Sequence, residues 1–287
     1  MTSTRLKPSN SSLLAAFVLL LAGLAPFSSF ADLMINPTRV VFEGNQRSAQ
    51  IDVINDGTTP ATYRVRVVNR QMTESGEFKE ITSPGAGDQF ADSMLVYSPR
   101  QIVLKPGTQQ LVRIALRKPA DLAEGEYRSH LMFEKVADPG LSNTLESQIK
   151  PGPNEVGVNI AALVGVSIPV IVRQGKTDAT TTISGIAVAQ PRTPGQPGAI
   201  EFEVNRSGNR SVYGDLTATF KTPAGPEQLV AQAGGVAVYV PNTHRRVRLN
   251  LQMPDGTQLA GGTLKVTYKE RIADSGKLLA ESSIQIP

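Results

Sequence analysis

The sequence contains no cysteine and no tryptophan, only two histidines in 287 residues, and few aromatic residues of any kind (5%). Without thiols there is no disulfide, no thiolate nucleophile and no cysteine metal site. His130 and His244 are the only imidazoles on offer as bases near neutral pH, and neither sits in a recognisable nucleophile setting. No histidine and carboxylate spacing suggests a metal centre, and no glycine-rich phosphate loop is present. These absences disfavour an exported hydrolase: the chain reads as a non-enzyme that needs no cofactor or metal.

Long apolar runs are scarce as well. The one that stands out, Leu13 to Leu24, follows Arg5 and Lys7 and precedes the small-x-small stretch Ser29-Phe30-Ala31. That order predicts a cleaved secretory signal over residues 1–31, because a run this short spans a bilayer poorly. No later stretch approaches the ~20 apolar residues of a membrane helix, so the exported product should be soluble. Losing the leader leaves 27 basic against 25 acidic residues, a net charge of +2, which removes the electrostatic warrant for binding nucleic acid.

What remains alternates with a period of two, punctuated by turn residues, with no helical stripe. Ser48 to Ile54 runs into Asn55-Asp56-Gly57, and Ala61 to Arg70 puts Tyr63, Val65 and Val67 on one face. Met94 to Tyr97, Gln101 to Leu104, the turn Lys105-Pro106-Gly107 and Gln109 to Leu116 continue the meander. Seven or so short strands over ~100 residues predict an immunoglobulin-like sandwich. The polar stretch Ala137 to Glu155 reads as a long loop between two strands. Arg173 to Asp178 has no apolar residue and is the best linker candidate, and a second set of alternating segments follows it. The fold class is therefore all-β, with a first sandwich over residues 32–173 and a second over 174–287.

Two strands carry most of the functional information. In Val158 to Ile168, one face holds Val158, Ile160, Ala162, Val164, Val166 and Ile168, and the other holds mostly small residues. That apolar row either lies on the domain's own core or points outward to a partner. In Glu126 to Val136, Tyr127, Ser129, Leu131 and Phe133 share a face, which turns Arg128, His130, Met132 and Glu134 away from the expected core. An outward arginine is ordinarily solvated or loosely paired.

Taken in order, Asn36-Pro37-Thr38-Arg39-Val40-Val41-Phe42, the Lys105-Pro106-Gly107 turn before Leu111-Val112-Arg113-Ile114, Glu126-Tyr127-Arg128-Ser129-His130, and Gly165-Val166-Ser167-Ile168-Pro169-Val170-Ile171-Val172-Arg173 resemble the periplasmic chaperones of chaperone–usher pilus assembly. Leu264 to Gly276 adds weaker support from the second domain. The Tyr-Arg before the long loop and the Ser-Ile-Pro after the apolar strand look closer to the archaic or alternative branch.

The resemblance implies two immunoglobulin-like domains set as a boomerang, with pilus subunits and an outer-membrane usher as partners. The chaperone would lend its apolar strand to complete a subunit's open sandwich, a mode of binding by strand addition. By carry-over the donor strand is 158–168, with Val158, Ile160, Ala162, Val164 and Val166 filling the subunit's groove. A subunit's C-terminal carboxylate would be held by Arg39 and Arg128, because arginine grips a carboxylate with two parallel hydrogen bonds. Where the better-known type has a lysine late in the donor strand this sequence has Pro169, which cannot serve as an anchor. Arg113 and Glu126 match a structural charged pair, with Asp274 as its second-domain partner. Self-association through the sticky donor-strand edge is also expected. The rival reading is a secreted structural or adhesive β-sandwich, such as a pilus subunit, although two domain-sized halves argue against it.

Overall fold

The structure is a computed structural model and describes residues 33–136, 165–191, 196–252 and 259–287. Among the described residues the regular structure is β throughout, apart from one 3-10 turn at Asp92–Met94. The first sandwich faces a four-stranded sheet, ordered β1 (Leu33–Asn36), β3 (Ser48–Asn55), β9 (Gln109–Leu116) and β7 (Leu95–Ser98), onto a five-stranded one. The latter runs β2 (Val40–Phe42), β11 (Gly165–Gln174), β10 (Gly125–Lys135), β4 (Ala61–Val68) and β8 (Gln101–Leu104). A separate hairpin, β5 (Arg70–Met72) with β6 (Phe78–Glu80), leaves the end of β4.

Alternation dictates the packing. Ile51 and Val53, Tyr63 and Val65, Val112 and Ile114, and Leu131 and Phe133 meet between the two sheets, each pair two residues apart on its strand. Asn55 organises one end of this sandwich. Its buried amide donates to the carbonyls of Thr59 and Leu104 at 2.8 and 3.0 Å and accepts the Gly57 N–H at 3.0 Å. The Gly107 N–H donates to the Asn55 carbonyl at 2.8 Å. Gly107 has φ +69°, a conformation that the Lys105-Pro106-Gly107 turn needs and that glycine adopts without steric cost.

The second sandwich stacks β12 (Ala179–Ala189), β13 (Ala199–Gly208) and β16 (His244–Asn250) on β15 (Gln228–Val238), β14 (Val212–Lys221), β17 (Gly262–Lys269) and β18 (Leu278–Ile286). Its core is built on Ile200, Phe202, Leu216, Phe220, Leu264, Val266 and Tyr268. The buried Tyr268 hydroxyl donates to the Val236 carbonyl at 2.7 Å, as a phenol so enclosed requires. Between the two domains the chain leaves β11 at Gln174 and enters β12 at Ala179. Arg173, expected in the linker, is thus a strand residue.

The expected donor strand is described only in part. Residues 158–164, which include Val158, Ile160, Ala162 and Val164, lie outside the described residues, as does the expected loop over 137–155. From Gly165 onward the strand does not stop at Ile168 but runs through Pro169 to Gln174. Proline is tolerated there because of the pairing pattern. β10 pairs with β11 from Glu134↔Gly165 to Gly125↔Gln174, whereas β2 covers the other edge only at Val170, Ile171 and Val172. Pro169, without an N–H, therefore occupies a stretch that has a partner on one side only.

Candidate functional site

The two domains meet over a small apolar core of its own. Met72 of the hairpin, Ile171 of β11, and Ala237 and Tyr239 of the second domain are buried there, with Val41, Phe78 and Tyr213 packed around them. The hairpin makes the polar contacts on one side. Asn242 Nδ2 donates to the Met72 carbonyl at 2.8 Å and the Arg246 N–H to the Glu74 carbonyl at 2.8 Å. The Glu74 side chain accepts from Arg246 and lies 3.2 Å from His244 Nε2. At the hairpin tip Gly76, with φ +88°, sits against the Arg245 guanidinium, where a Cβ would come within 2.2 Å of Nη2.

Beside this core opens a cleft of about 430 Å³, lined from the first domain by Pro37, Thr38, Arg39, Val41, Glu43 and Arg173. The second domain contributes Arg210, Ser211, Tyr213, Glu270, Arg271, Ala273 and Asp274. Four arginines against three carboxylates leave the lining with one positive charge in excess. At the cleft floor Glu126, only 2% exposed, joins the domains. Its Oε2 accepts from Arg173 Nε at 3.1 Å and from the Ser211 N–H at 3.2 Å. Arg173 Nη1 also donates to Glu43 at 3.1 Å, and Arg210 lies 3.7 Å from the same carboxylate. The Arg39 guanidinium lies 4.5 Å from the centroid of the Tyr213 ring, and its buried Nε has no hydrogen-bond partner among the described residues.

Of the expected residues, Arg39 and Asp274 line the cleft. Arg128 is placed elsewhere. It points away from the first core, as its strand face requires, yet the hairpin and the second domain cover it to 5% exposure. Its guanidinium lies 4.5 Å from the Tyr239 ring centroid and 5.8 Å from that of Phe78. Burial lowers its pKa against the opposing pull of Tyr239, Glu126 and Asp88. Arg128 is thus part of the domain junction and is not presented to a ligand in the cleft. His130, next on the same face, is 1% exposed and meets Phe78 edge-on at 5.0 Å. Burial, followed by Arg128 and Arg70, holds its pKa down to about 2 and keeps the ring neutral.

Two further expectations need correction. Arg113 and Glu126 do not pair: Arg113 is exposed on β9 in the opposite sheet, across from Gln50 and Ser98, and the partner of Glu126 is Arg173. The register makes this necessary, because Glu126↔Arg173 are direct neighbours on β10 and β11. Val166 is half buried and packs on the first domain's core in line with Ile168, Val170 and Val172. Over its described part the apolar row therefore lines its own sandwich. Sequence reasoning missed Tyr213, Tyr239 and Phe78, aromatic residues from separate segments that only the domain junction brings together. Among the described residues no group of histidine and acidic side chains could hold a metal ion.

These features define a class: a two-domain, all-β protein with a cationic cleft where its sandwiches join and an open strand edge leading away from that cleft. Residues 32–151 match the family model described as pili and flagellar-assembly chaperone, PapD N-terminal domain. That match covers most of the first domain and none of the second. No curated protein sequence matches the chain. Among solved structures, the chain is similar to the YadV chaperone at 12% identity and a TM-score of 0.45, over 89% of this chain and 100% of that one. It is similar to the CupB2 chaperone of Pseudomonas aeruginosa at 12% identity and a TM-score of 0.42, over 88% and 100%. The CsuC–CsuE chaperone–tip adhesion subunit complex of archaic Csu pili from Acinetobacter baumannii gives 14% identity and a TM-score of 0.41, over 89% and 98%.

Proposed function

We propose that the chain is an exported periplasmic chaperone that holds pilus subunits by lending them a strand and delivers them to an outer-membrane usher, without catalysing a reaction. The observation that carries this reading is the free edge of β11. From Gly165 to Pro169 the strand is paired with β10 alone among the described residues. An uncovered strand edge is a template for another chain. The apolar row that lines the first core at Val166 and Ile168 continues toward the N-terminus as Val164, Ala162, Ile160 and Val158. Side chains on that continuation would fill a subunit's open groove, each contributing ~1.5–3 kcal/mol when a branched residue is fully buried.

At the other end of β11 lies the cleft. A partner strand running along the free edge toward Arg173 ends beside Arg39, whose unpartnered Nε and excess positive surroundings suit a terminal carboxylate. Such an anchor fixes register, which matters because a slip of one residue turns every side chain to the wrong face. In the absence of a subunit the same edge favours self-association. The Tyr127-Arg128 and Ser167-Ile168-Pro169 sequences support a reading closer to the archaic or alternative branch.

The test is co-production in the periplasm with a pilus subunit, followed by purification through a tag on this chain. A soluble one-to-one complex is expected from the wild type, with recovery lost in Val164→Asp and in Arg39→Gln while both variants melt cooperatively when free. A subunit that remains soluble without this chain, or equal recovery by both variants, would remove the reading.

A further inference from the structure

The second sandwich is open along one side. β16 is the edge of its three-stranded sheet and β15 the edge of its four-stranded one, and between them lies an opening of about 760 Å³. Two backbone hydrogen bonds bound it. At one end the Arg246 N–H donates to the Glu74 carbonyl of the hairpin, and at the other the Gln252 N–H donates to the Val230 carbonyl of β15, both at 2.8 Å. The edge of β16 is stopped on both sides, so the opening is a closed pocket rather than a template for an added strand.

Its apolar wall comes from three strands. Phe202, Val247 and Leu249 turn buried side chains to it, with Ala233 and Val236 opposite. Residues 233 and 236 are three apart and would ordinarily face opposite sides of a strand. A bulge brings both to the pocket: the pairing of β14 with β15 shifts between Gly214↔Val236 and Leu216↔Ala233, so that Gly234 and Gly235 together oppose Asp215. The Gly235 N–H donates to Asp215 Oδ1 at 2.8 Å and fixes that bulge.

One end of the pocket is cationic. Arg245 shares the core-facing side of β16 with Val247 and Leu249, and the hairpin tip at Gly76 closes over it. Its Nη1 donates to the Ala237 carbonyl at 2.9 Å, while its buried Nε has no partner among the described residues. Burial lowers its pKa, opposed by Tyr268 and Tyr239 and not by a carboxylate. The other arginines of the pocket are engaged, Arg246 by Glu74 and Arg248 by Glu201. A half-buried cation without a counter-ion beside an apolar wall suits an anion with an apolar body.

We propose that this pocket binds a single-chain fatty acid, its carboxylate on Arg245 and its acyl chain along Val247 and Leu249. From Arg245 to Leu249 the strand runs about 13 Å, and the volume falls within the ~300–1,000 Å³ usual for small-molecule sites. The pocket is separate from β11 and from the cleft, so the inference stands or falls independently of the subunit-binding reading.

The experiment titrates the full chain with decanoate, kept below its micellar concentration, by isothermal titration calorimetry, with hexanoate and decan-1-ol as comparison probes. One decanoate per chain is expected. Hexanoate should bind at least about tenfold more weakly, because each buried methylene is worth up to about fourfold. Decan-1-ol should also lose about tenfold or more, the scale of a charge-assisted hydrogen bond. Arg245→Gln should remove the preference for the carboxylate over the alcohol. Ala233→Phe, which fills the pocket from its rim, should abolish binding of both while the protein still melts cooperatively. A readout that needs no variant is NMR of carboxyl-labelled decanoate, whose pKa should fall when it is bound to the wild type. A bound carboxyl that titrates as it does when free would overturn the inference, as would equal affinity for the alcohol or full binding by Ala233→Phe. A wild type that sediments as a dimer and an Ala233→Phe variant that sediments as a monomer would assign the pocket to a second copy and overturn it too.

Discussion

Arg128 and Tyr239 are stacked across the domain junction, the guanidinium 4.5 Å from the ring centroid, so the cation of one sandwich is enclosed by an aromatic residue of the other. Phe78 closes the stack from the hairpin side, and no carboxylate is within hydrogen-bond reach of the buried Nε and Nη1 of Arg128. A charge enclosed this way contributes packing more than ionic energy, and replacing such a group with an apolar one of similar volume is often neutral or stabilising. Arg128→Met is therefore expected to melt at or above the wild-type temperature and to recover subunits normally. Arg128→Ala should lose about 2 kcal/mol or more through the cavity it leaves. Chemical denaturation together with the co-purification assay measures both, and a Met variant that is stable but recovers no subunit would return Arg128 to the binding site.

The neutral His130 ring gives the stability a pH dependence with a definite sign. Its folded pKa, about 2, lies below its unfolded value near 6.5. The contribution is therefore complete above pH ~6.5 and is lost as pH falls, because the unfolded chain takes up a proton that the folded chain refuses. Between pH 7 and 5 the wild type should lose about 2 kcal/mol more than His130→Phe, at ~1.4 kcal/mol per pH unit below 6.5. Parallel urea titrations at the two pH values check it, and equal losses would show that His130 is protonated in the folded state.

Glu126→Ala should destabilise the protein by about 3 kcal/mol, since it removes the acceptor shared by Arg173 and the Ser211 N–H inside the junction. Arg113→Ala, on the exposed face of β9, should change stability by less than about 0.5 kcal/mol. Comparing the two unfolding curves tests the corrected pairing directly.

Gly76→Val should release the hairpin from the second domain. The added side chain meets the Arg245 guanidinium, and the positive φ is strained for any branched residue. The expected cost is about 1–3 kcal/mol, together with faster hydrogen exchange at the Arg246 N–H that Glu74 now accepts.

The alternation of apolar residues was enough to read the two sandwiches, because burial between sheets imposes a period of two on nearly every strand. It also placed Arg128 and His130 on the face opposite the first core. Periodicity reports which way a side chain points, but not what covers it. The cover here, Phe78 and Tyr239, comes from a hairpin and from another domain, and neither carries a local signal. Glu126 shows a similar limit. The resemblance matched it with Arg113, whereas the antiparallel register of β10 and β11 sets Arg173 beside it. Val166 lines its own core, and in the sequence the same apolar row continues beyond the described strand as Val164, Ala162, Ile160 and Val158. Alternation is the same along the whole row, so it does not tell a side chain that lines its own core from one kept for a partner.

β11 has the cleft at one end and the open edge at the other, with its own domain's core fastened to its middle. From Pro169 to Arg173 is four residues, or about 13 Å of rigid strand. A guest held at the cleft would be measured against that fixed span: its first apolar side chain reaches the uncovered stretch only if the segment before its terminus has the matching length. On the proposed reading such a strand would act as a gauge, sorting chains by the spacing between their end and their first greasy residue before side-chain shape is consulted.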